Sequence, residues 1–485
     1  MHKYSDLRPE QLAASEFVYR GDQSLLLADV GTGKTVIVLS ALKRWIDEGI
    51  CDRALIVAPK RVCTDVWEQE TEEWEHLEAL KPPFIVSIAG ESVRVRKTLL
   101  DNALTHRIVL VNYENLPWLM ETYPKGVKGF NVLVMDEIDK LKDPTTLRFK
   151  GRPRRKDPLT KNVVPAISGM KTWRENFDIH IGMTGTPTPN HLLDLWAQVY
   201  MVDGGQRLGS NYYRFRDRHF FQTDWMGYAY DILPGREQWI QERIADITFR
   251  LEQSKNMPGV VETPIRWVDM SSRTRSVYKE LAREYIVYLE RAVSGEVDRV
   301  EADNAAVVYG KLRQLCAGFL YVGADRETEW LSKVKFKELD NLISELQGQQ
   351  LLIVYHYHAQ LAELKRRYKG LRHLGGGQST AVATDTITEW NAGRLPFLAL
   401  HPASAGHGLN LQKSHAAHIA MLTEPESAGL YTQVIGRLAR TGGASTVFVH
   451  RILLRDSQDI EQDAAVHNKT LSQTELLNDM KARQL

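Results

Sequence analysis

The chain runs to 485 residues, 43% of them hydrophobic and 25% charged, with 62 Lys and Arg set against 61 Asp and Glu. That length fits three ordinary domains or two large ones with insertions, and the apolar content excludes a disordered chain. A net charge of +1 excludes a polybasic nucleic-acid tail, so any contact with nucleic acid must be local.

The first residues, MHKYSDLRPEQ, lack the apolar stretch of a signal peptide, and no window approaches eighteen consecutive apolar residues. This predicts a soluble, cytoplasmic protein without a membrane partner. Cys51, Cys63 and Cys316 lie too far apart for paired zinc ligands and fit a reducing compartment.

Short apolar runs recur at Ser24 to Ala28, Ala54 to Ala58, Arg107 to Val111 and Asn131 to Met135, with Ile179 to Met183 as a weaker fifth. Segments such as Val36 to Glu48 and Arg61 to Leu77 between them have helical composition. Strands alternating with helical crossovers predict a mostly parallel sheet covered on both faces. From about Tyr200 to Gln253 helical patterning takes over. There Arg236, Arg243 and Arg250 recur every seven residues, which reads as a solvated cationic face with local ion pairs. Helical spacing continues through Ser271 to Ala292 and Ala305 to Leu315. A second α/β set follows, with strands expected at Leu351 to Tyr355, Leu395 to Leu400, Ala417 to Leu422 and Thr446 to His450. The expected division is a first lobe over 1–200, a helical bridge over 201–262, a helical start of the second lobe over 263–345, and the remaining lobe over 346–485.

The strongest local signal is Ala28-Asp29-Val30-Gly31-Thr32-Gly33-Lys34-Thr35, directly after an expected strand and opening a helix. Gly31 and Gly33 let the backbone approach a polyphosphate, and the loop amides and helix start attract its oxygens. Lys34 can reach the terminal phosphates, and Thr35 supplies a hydroxyl for Mg²⁺. About a hundred residues on, Asp136-Glu137-Ile138-Asp139 follows an apolar strand. The pattern suits Asp136 as a second magnesium partner and Glu137 as the group that orients or deprotonates water. Together they supply nucleotide hydrolysis.

In their order these elements resemble the superfamily-two helicases and translocases, closer to the Swi/Snf-like ATPase branch than to DEAD-box RNA helicases. The resemblance runs from Leu7 to about Gly442. It implies an α/β fold of two RecA-like parallel-sheet lobes flanking an ATP cleft, with helical insertions between the lobes. It assigns Gln11 in Leu7-Arg8-Pro9-Glu10-Gln11 to adenine, Pro59 and the Asn112-Tyr113 pair to nucleic acid, and Thr184-Gly185-Thr186 to coupling. In the late motif Ser404 to Leu411, Gly408 falls to ATP and Asn410 to nucleic acid. Arg437 and Arg440, three residues apart and able to share one helical face, are by resemblance the arginine fingers.

Between these motifs lies the basic stretch RFKGRPRRKDPLTK, with Arg148, Lys150, Arg152, Arg154, Arg155 and Lys156. A solvated loop is its plainer reading and a nucleic-acid-contacting loop the alternative. The expectation is a DNA-dependent ATPase using ATP and Mg²⁺ and translocating on double-stranded or branched DNA, in a bacterial or bacteriophage-infected cell. A strand-separating DNA or RNA helicase, and an ATP-responsive assembly protein with little turnover, are the competing readings.

Overall fold

The computed structural model describes residues 1–467 except 30, 103–104, 152–154, 157–162, 165–168, 186–191, 223–229, 253–257, 294–298, 324, 376, 406–408, 441 and 465. The described residues divide into two compact units. The first holds those up to Phe221 and from Asp231 to Glu252, and the second those from Pro258 to His467 together with Gln222 and Tyr230.

In the first unit seven strands form one sheet: β1 (Gln23–Ala28), β2 (Ala54–Ala58), β3 (Ile85–Ser87), β4 (Ile108–Asn112), β5 (Val132–Asp136), β6 (Ile179–Thr184) and β7 (Thr248–Leu251). Their order across the sheet is β7-β1-β6-β5-β2-β4-β3, and every pairing is parallel. Parallel strands need crossovers, which place helices on the sheet faces, so both faces are buried and the strands read as unbroken apolar runs. Helices α1 (Pro9–Arg20) and α2 (Lys34–Asp47) share one core with Leu26, Ala28, Ile56 and Ile181. Helix α3 (Leu195–Asp203) is buried at every position.

The second unit repeats the plan. Strands β8 (Gly259–Glu262), β9 (Arg266–Val268), β10 (Leu351–Val354), β11 (Arg372–Leu374), β12 (Phe397–Leu400), β13 (His418–Met421) and β14 (Thr446–Leu454) pair in parallel. Their order is β8-β14-β13-β10-β12-β11, with β9 also on β14. Alternate residues of β10 divide between two cores. Leu352 and Val354 join Trp390 and Tyr431 on one face, while Leu351 and Ile353 join Phe336 and Leu339 on the other. Helices α4 (Ser272–Val293) and α5 (Arg299–Cys316) pack together ahead of α6 (Val334–Glu345), and α7 (Ala428–Ile435) follows β13. The fold is therefore two RecA-like parallel-sheet lobes with helical segments between them in the chain. Among the described residues no helix is long and apolar enough to cross a membrane, and all three cysteines are buried and free.

The expected strands fall within a few residues of the observed ones. Five further strands of these two sheets, β3, β7, β8, β9 and β11, carry three or four residues each and mix polar or charged with apolar side chains. Two findings depart from the sequence expectation, one in the segment read as a helical bridge and one early in the first lobe. Residues Thr248–Leu251 extend the first sheet, and Arg250 lies in that strand with 9% exposure instead of on a solvated face. The long helix expected from Arg61 to Leu77 is split into Lys60–Asp65, Trp67–Glu73 and a 3₁₀ segment Glu75–Leu80.

The packing can be probed at two positions. Gly182 pairs with Leu25 and Met135 at the middle of the first sheet. A Cβ there would come within 2.7 Å of Ile138 Cδ1 and 3.0 Å of Val202 Cγ2. Gly182→Ala should therefore cost about 1–3 kcal/mol by overpacking, read as a lowered urea midpoint.

Glu424, between β13 and α7, is 3% exposed, and neither carboxylate oxygen has a hydrogen-bond partner among the described residues. Burial first, then Asp463, raises its pKa from the ordinary 4.5 to about 8, against the pull of Arg451 and His467. The unfolded chain ionises near the ordinary value, so stability is lost as pH climbs from 4.5 to about 8 and no further above it. Glu424→Gln cannot ionise, so its stability advantage over the wild type should grow through that window and then level off. Parallel stability curves for the two proteins would contradict this.

Candidate functional site

Because all seven strands of the first sheet run the same way, the residues that end β1, β2, β4, β5 and β6 share one edge. They are Ala28, Ala58, Asn112, Asp136 and Thr184. Loops leaving that edge are where open α/β sheets bind ligands.

The phosphate loop leaves β1 and turns into α2 through Gly33, whose φ of 85° is left-handed. A Cβ at Gly33 would stand 2.4 Å from Gln11 Nε2, so both the backbone angle and the close approach require glycine. The loop is braced from α1. Gln11 Nε2 donates to the Thr32 carbonyl at 2.8 Å, Arg8 Nη2 donates to the same oxygen at 2.9 Å, and the Arg8 amide donates to Gln11 Oε1 at 2.9 Å. The Thr32 hydroxyl donates to the Asp29 carbonyl at 2.7 Å, and the Asp29 amide donates to the Leu251 carbonyl at 3.0 Å. Gln11, expected at adenine, thus also fixes the loop that follows. Lys34 Nζ donates to the Ala28 carbonyl at 2.9 Å, and an ammonium has two further N–H groups to offer. Thr35 is half-buried in the first turn of α2.

Asp136 ends β5 with 5% exposure. Trp67 Nε1 donates to its Oδ2 at 3.1 Å. Burial, then the neighbouring Glu137, pushes the Asp136 carboxyl well above the ordinary carboxylate range, while Lys34 and the Trp67 bond act in the opposite sense. The influence of Lys34 places the phosphate-loop lysine and this carboxylate in one electrostatic environment. Glu137 takes a left-handed backbone, φ 54° and ψ 55°, a conformation a non-glycine residue adopts at a cost. Tyr113 holds that turn: its hydroxyl is placed at 2.9 Å from the Asp136 carbonyl and 3.2 Å from the Glu137 carbonyl. Glu137 Oε2 is buried with no hydrogen-bond partner among the described residues. An orphaned acceptor of this kind, on a strained residue at a strand end, is suited to receive a hydrogen bond from substrate water. Asp139 is likewise pushed upward by burial and by Glu137, and the Thr184 hydroxyl donates to its Oδ1 at 3.2 Å. Thr184, expected as a coupling residue, is thereby tied to the acidic turn.

The donor set fits a divalent cation carried in by a polyphosphate. Thr35 offers a neutral oxygen and Asp136 a carboxylate whose charged form a nearby cation would favour. Among the described residues no three His, Cys, Asp or Glu side chains form a cage, so such an ion would rest on these two groups and the nucleotide.

The nucleic-acid candidates divide. Asn112 is 4% exposed and Nδ2 donates to Glu114 Oε2 at 2.6 Å. Tyr113 is 2% exposed, its hydroxyl committed to the acidic turn. Pro59 is buried and caps the helix Lys60–Asp65. Arg148 is half-buried with its guanidinium 5.9 Å from the Tyr113 ring centroid, whereas Lys150 is exposed. Gly185 follows β6 directly. Val30, Arg152, Arg154, Thr186 and Gly408 lie outside the described residues. Of Arg155 and Lys156 only the backbone is described, paired with Val163–Val164.

In the second unit the two arginines do not share a helical face. Helix α7 ends at Ile435, and the turns beyond it are held by Arg437 to Val434 and Leu438 to Ile435 backbone bonds. Burial of Leu438 and Ala439 in the core fixes those turns. Arg437 is 3% exposed and donates to the carbonyls of Gln433 and Leu409 at 3.2 and 3.4 Å. Arg440 Nη1 donates to Asn410 Oδ1 at 2.9 Å, so both late motifs meet at Leu409-Asn410. Sequence reading gave no role to Arg8, Trp67 or Asp139. Arg8 carried a signal as the capping neighbour of Gln11; Trp67, sixty-nine residues from Asp136, carried none.

The DEAD/DEAH box helicase family matches residues 8–150 and the helicase conserved C-terminal domain matches residues 334–442, together just over half of the chain. The "Putative protein p41" of Acyrthosiphon pisum secondary endosymbiont phage 1 is 29% identical over 95% of this chain and 95% of its own. The "Putative ATP-dependent helicase/translocase YwqA" of Bacillus subtilis (strain 168) is 21% identical over 93% of this chain, which spans 46% of that protein. A solved structure, "Sulfolobus solfataricus SWI2/SNF2 ATPase core in complex with dsDNA", aligns with 18% identity and a TM-score of 0.42, covering 97% of this chain and 96% of that one. With a phosphate loop, an acidic turn and a late arginine pair in this order, the chain is an ATP-hydrolysing, helicase-like enzyme and belongs to the superfamily-two helicases.

Proposed function

We propose that the enzyme is a DNA-dependent ATPase that translocates on double-stranded DNA, remodelling branched DNA or displacing bound proteins. The observation that carries this reading is the bond between Thr184 and Asp139, which links the strand-end coupling element to the turn bearing Glu137. The name of the Bacillus relative, helicase/translocase, supports the same reading.

In this mechanism Gln11 selects adenine, while the loop from Val30 through Gly33 and the ammonium of Lys34 hold the β and γ phosphates. Gly408 is a further nucleotide contact. Mg²⁺, held by Thr35 and Asp136, would supply charge neutralisation on the phosphates. Glu137 accepts a proton from water as the water oxygen bonds to the γ phosphorus and the bond from that phosphorus to the bridging oxygen of ADP breaks. Arg437 and Arg440 stabilise the charge spread over the transferred group. Movement then requires two conformations of the chain with unequal affinity for the nucleotide. Thr184, Gly185 and Thr186 communicate that difference. Pro59, Asn112, Tyr113, Arg148, Lys150, Arg152, Arg154, Arg155, Lys156 and Asn410 are the proposed nucleic-acid contacts.

Lys34→Ala, Glu137→Gln and Arg437→Ala should each lower DNA-stimulated phosphate release by about a thousandfold or more. Matched duplex, single-stranded and branched DNA and duplex RNA, compared at one salt concentration, should show stimulation by duplex or branched DNA. A third strand should be displaced from a triplex while the duplex stays paired. Strand separation would favour the helicase reading suggested by the family name, preference for RNA would overturn the choice of polymer, and background turnover on every ligand would leave an ATP-responsive assembly protein.

Neutralising Arg148, Lys150, Arg152, Arg154, Arg155 and Lys156 together should weaken DNA binding and flatten its salt dependence, by about one unit of log-log slope for every phosphate that is no longer neutralised. ATP binding without DNA should be retained. Unchanged salt dependence would remove the basic segment from the DNA path.

A further inference from the structure

The buried indoles of Trp45, Trp173, Trp196 and Trp390 donate their N–H groups to backbone carbonyls, those of Tyr19, Tyr123, Gly209 and Leu411. Trp67 spends its N–H differently. Fully buried in the core of the first lobe with Ala58, Val62 and Val134, it donates to a side-chain carboxylate, Asp136 Oδ2, at 3.1 Å. The break in the segment expected as one helix falls at Val66, so Trp67 is the first residue of the helix Trp67–Glu73. That helix packs against α2, which the phosphate loop opens.

The choice of acceptor matters because the carboxylate torsion of an aspartate is broad. An N–H held on one oxygen selects a single orientation of the carboxylate plane. It does not close the group to a cation, since an ionised carboxylate offers about four lone-pair sites. The indole is rigid and enclosed, and its one N–H cannot swing to another acceptor as a hydroxyl could. Metal-ligating groups are oriented by outer hydrogen-bond partners of this kind, and loss of the partner weakens metal binding by about 10- to 100-fold.

We infer that Trp67 is a positioning residue of the magnesium site, its indole N–H setting the orientation in which Asp136 meets the cation carried by the nucleotide. This rests on the reading of Asp136 as a magnesium partner and adds a support that none of the sequence motifs contains. Trp67 acts through Asp136, not on the reacting atoms. Its single donor is committed to that carboxylate and not to the phosphate loop, so its contribution is confined to the part of the nucleotide affinity that Mg²⁺ adds.

The test uses the full chain with Trp67→Phe and, at the same position, a tryptophan analogue whose indole is replaced by benzothiophene. There a sulfur stands where the N–H was, in a ring of nearly the same shape. Equilibrium binding of a fluorescent, non-hydrolysable ATP analogue is measured with Mg²⁺ and in EDTA, and the ratio of the two affinities is the gain from the metal. In both variants the affinity in EDTA should stay within about twofold of wild type while the gain falls about tenfold. If Trp67→Phe fails to fold, the isosteric replacement alone decides. Asp136→Asn closes a double-mutant cycle: it should lose the gain by itself, and the benzothiophene replacement added to it should change the gain no further. An unchanged gain in the benzothiophene protein, with the gain lost in Asp136→Asn, overturns the proposal. So does an equal loss in EDTA and in Mg²⁺, which is the signature of packing alone, and so do losses that add in the cycle. If Asp136→Asn keeps the full gain, the reading of Asp136 as a magnesium partner fails, and the role of Trp67 falls with it.

Discussion

An aspartate buried at the end of a strand beside a second carboxylate is an expensive group, and much of the first lobe is arranged around it. Asp136 is offset by an indole hydrogen bond from Trp67, by the nearby charge of Lys34, and by a tyrosine whose hydroxyl is held against the two carbonyls of the turn. The turn in its left-handed form leaves Glu137 with a bare oxygen. A site of this kind is stable enough to fold and unsatisfied enough to bind. The same tension recurs, in the second unit, in Glu424.

Uniform strand direction is what gathers these groups. In a mixed sheet the ends of neighbouring strands point opposite ways, and residues 28, 112, 136 and 184 would be distributed between two edges. With seven parallel strands they share one; the crossover that parallel pairing demands brings α2 onto the sheet face, and α1, which precedes β1, shares its core and braces the loop. The glycine at residue 33 is the point of closest approach: its missing Cβ is the space that Gln11 occupies.

How far the sequence could be read depended on how each element earns its stability. Central strands such as Leu55-Ile56-Val57 and Leu351 to Val354 are buried on both faces and announce themselves as apolar runs. The five shorter strands β3, β7, β8, β9 and β11 mix polar or charged with apolar residues and look like loops. Arg250 shows the same effect at one residue: a seven-residue spacing with Arg236 and Arg243 resembles a helical face, but Arg250 lies in a strand. The phosphate loop was readable because its glycines answer a local demand of the backbone. Trp67 was not, because its partner is distant in the chain. The late arginines were readable as a pair, but not in their geometry, since the end of α7 is set by burial of Leu438 and Ala439 in a core that local spacing does not reveal.

Strand β7 also bears on how the protein comes off the ribosome. Its residues lie more than two hundred positions after β1, yet they cover the outer edge of β1 and fasten the first residue of the phosphate loop. Until about residue 252 has been translated, the nascent first lobe carries its nucleotide loop on an open edge strand, with backbone groups ready to pair with whatever else is extended nearby. A shorter fragment lacks the Leu251 carbonyl that fastens the loop entry, and a dissection of the enzyme that stops at the apparent end of the first lobe near residue 200 removes a strand from the site it means to isolate.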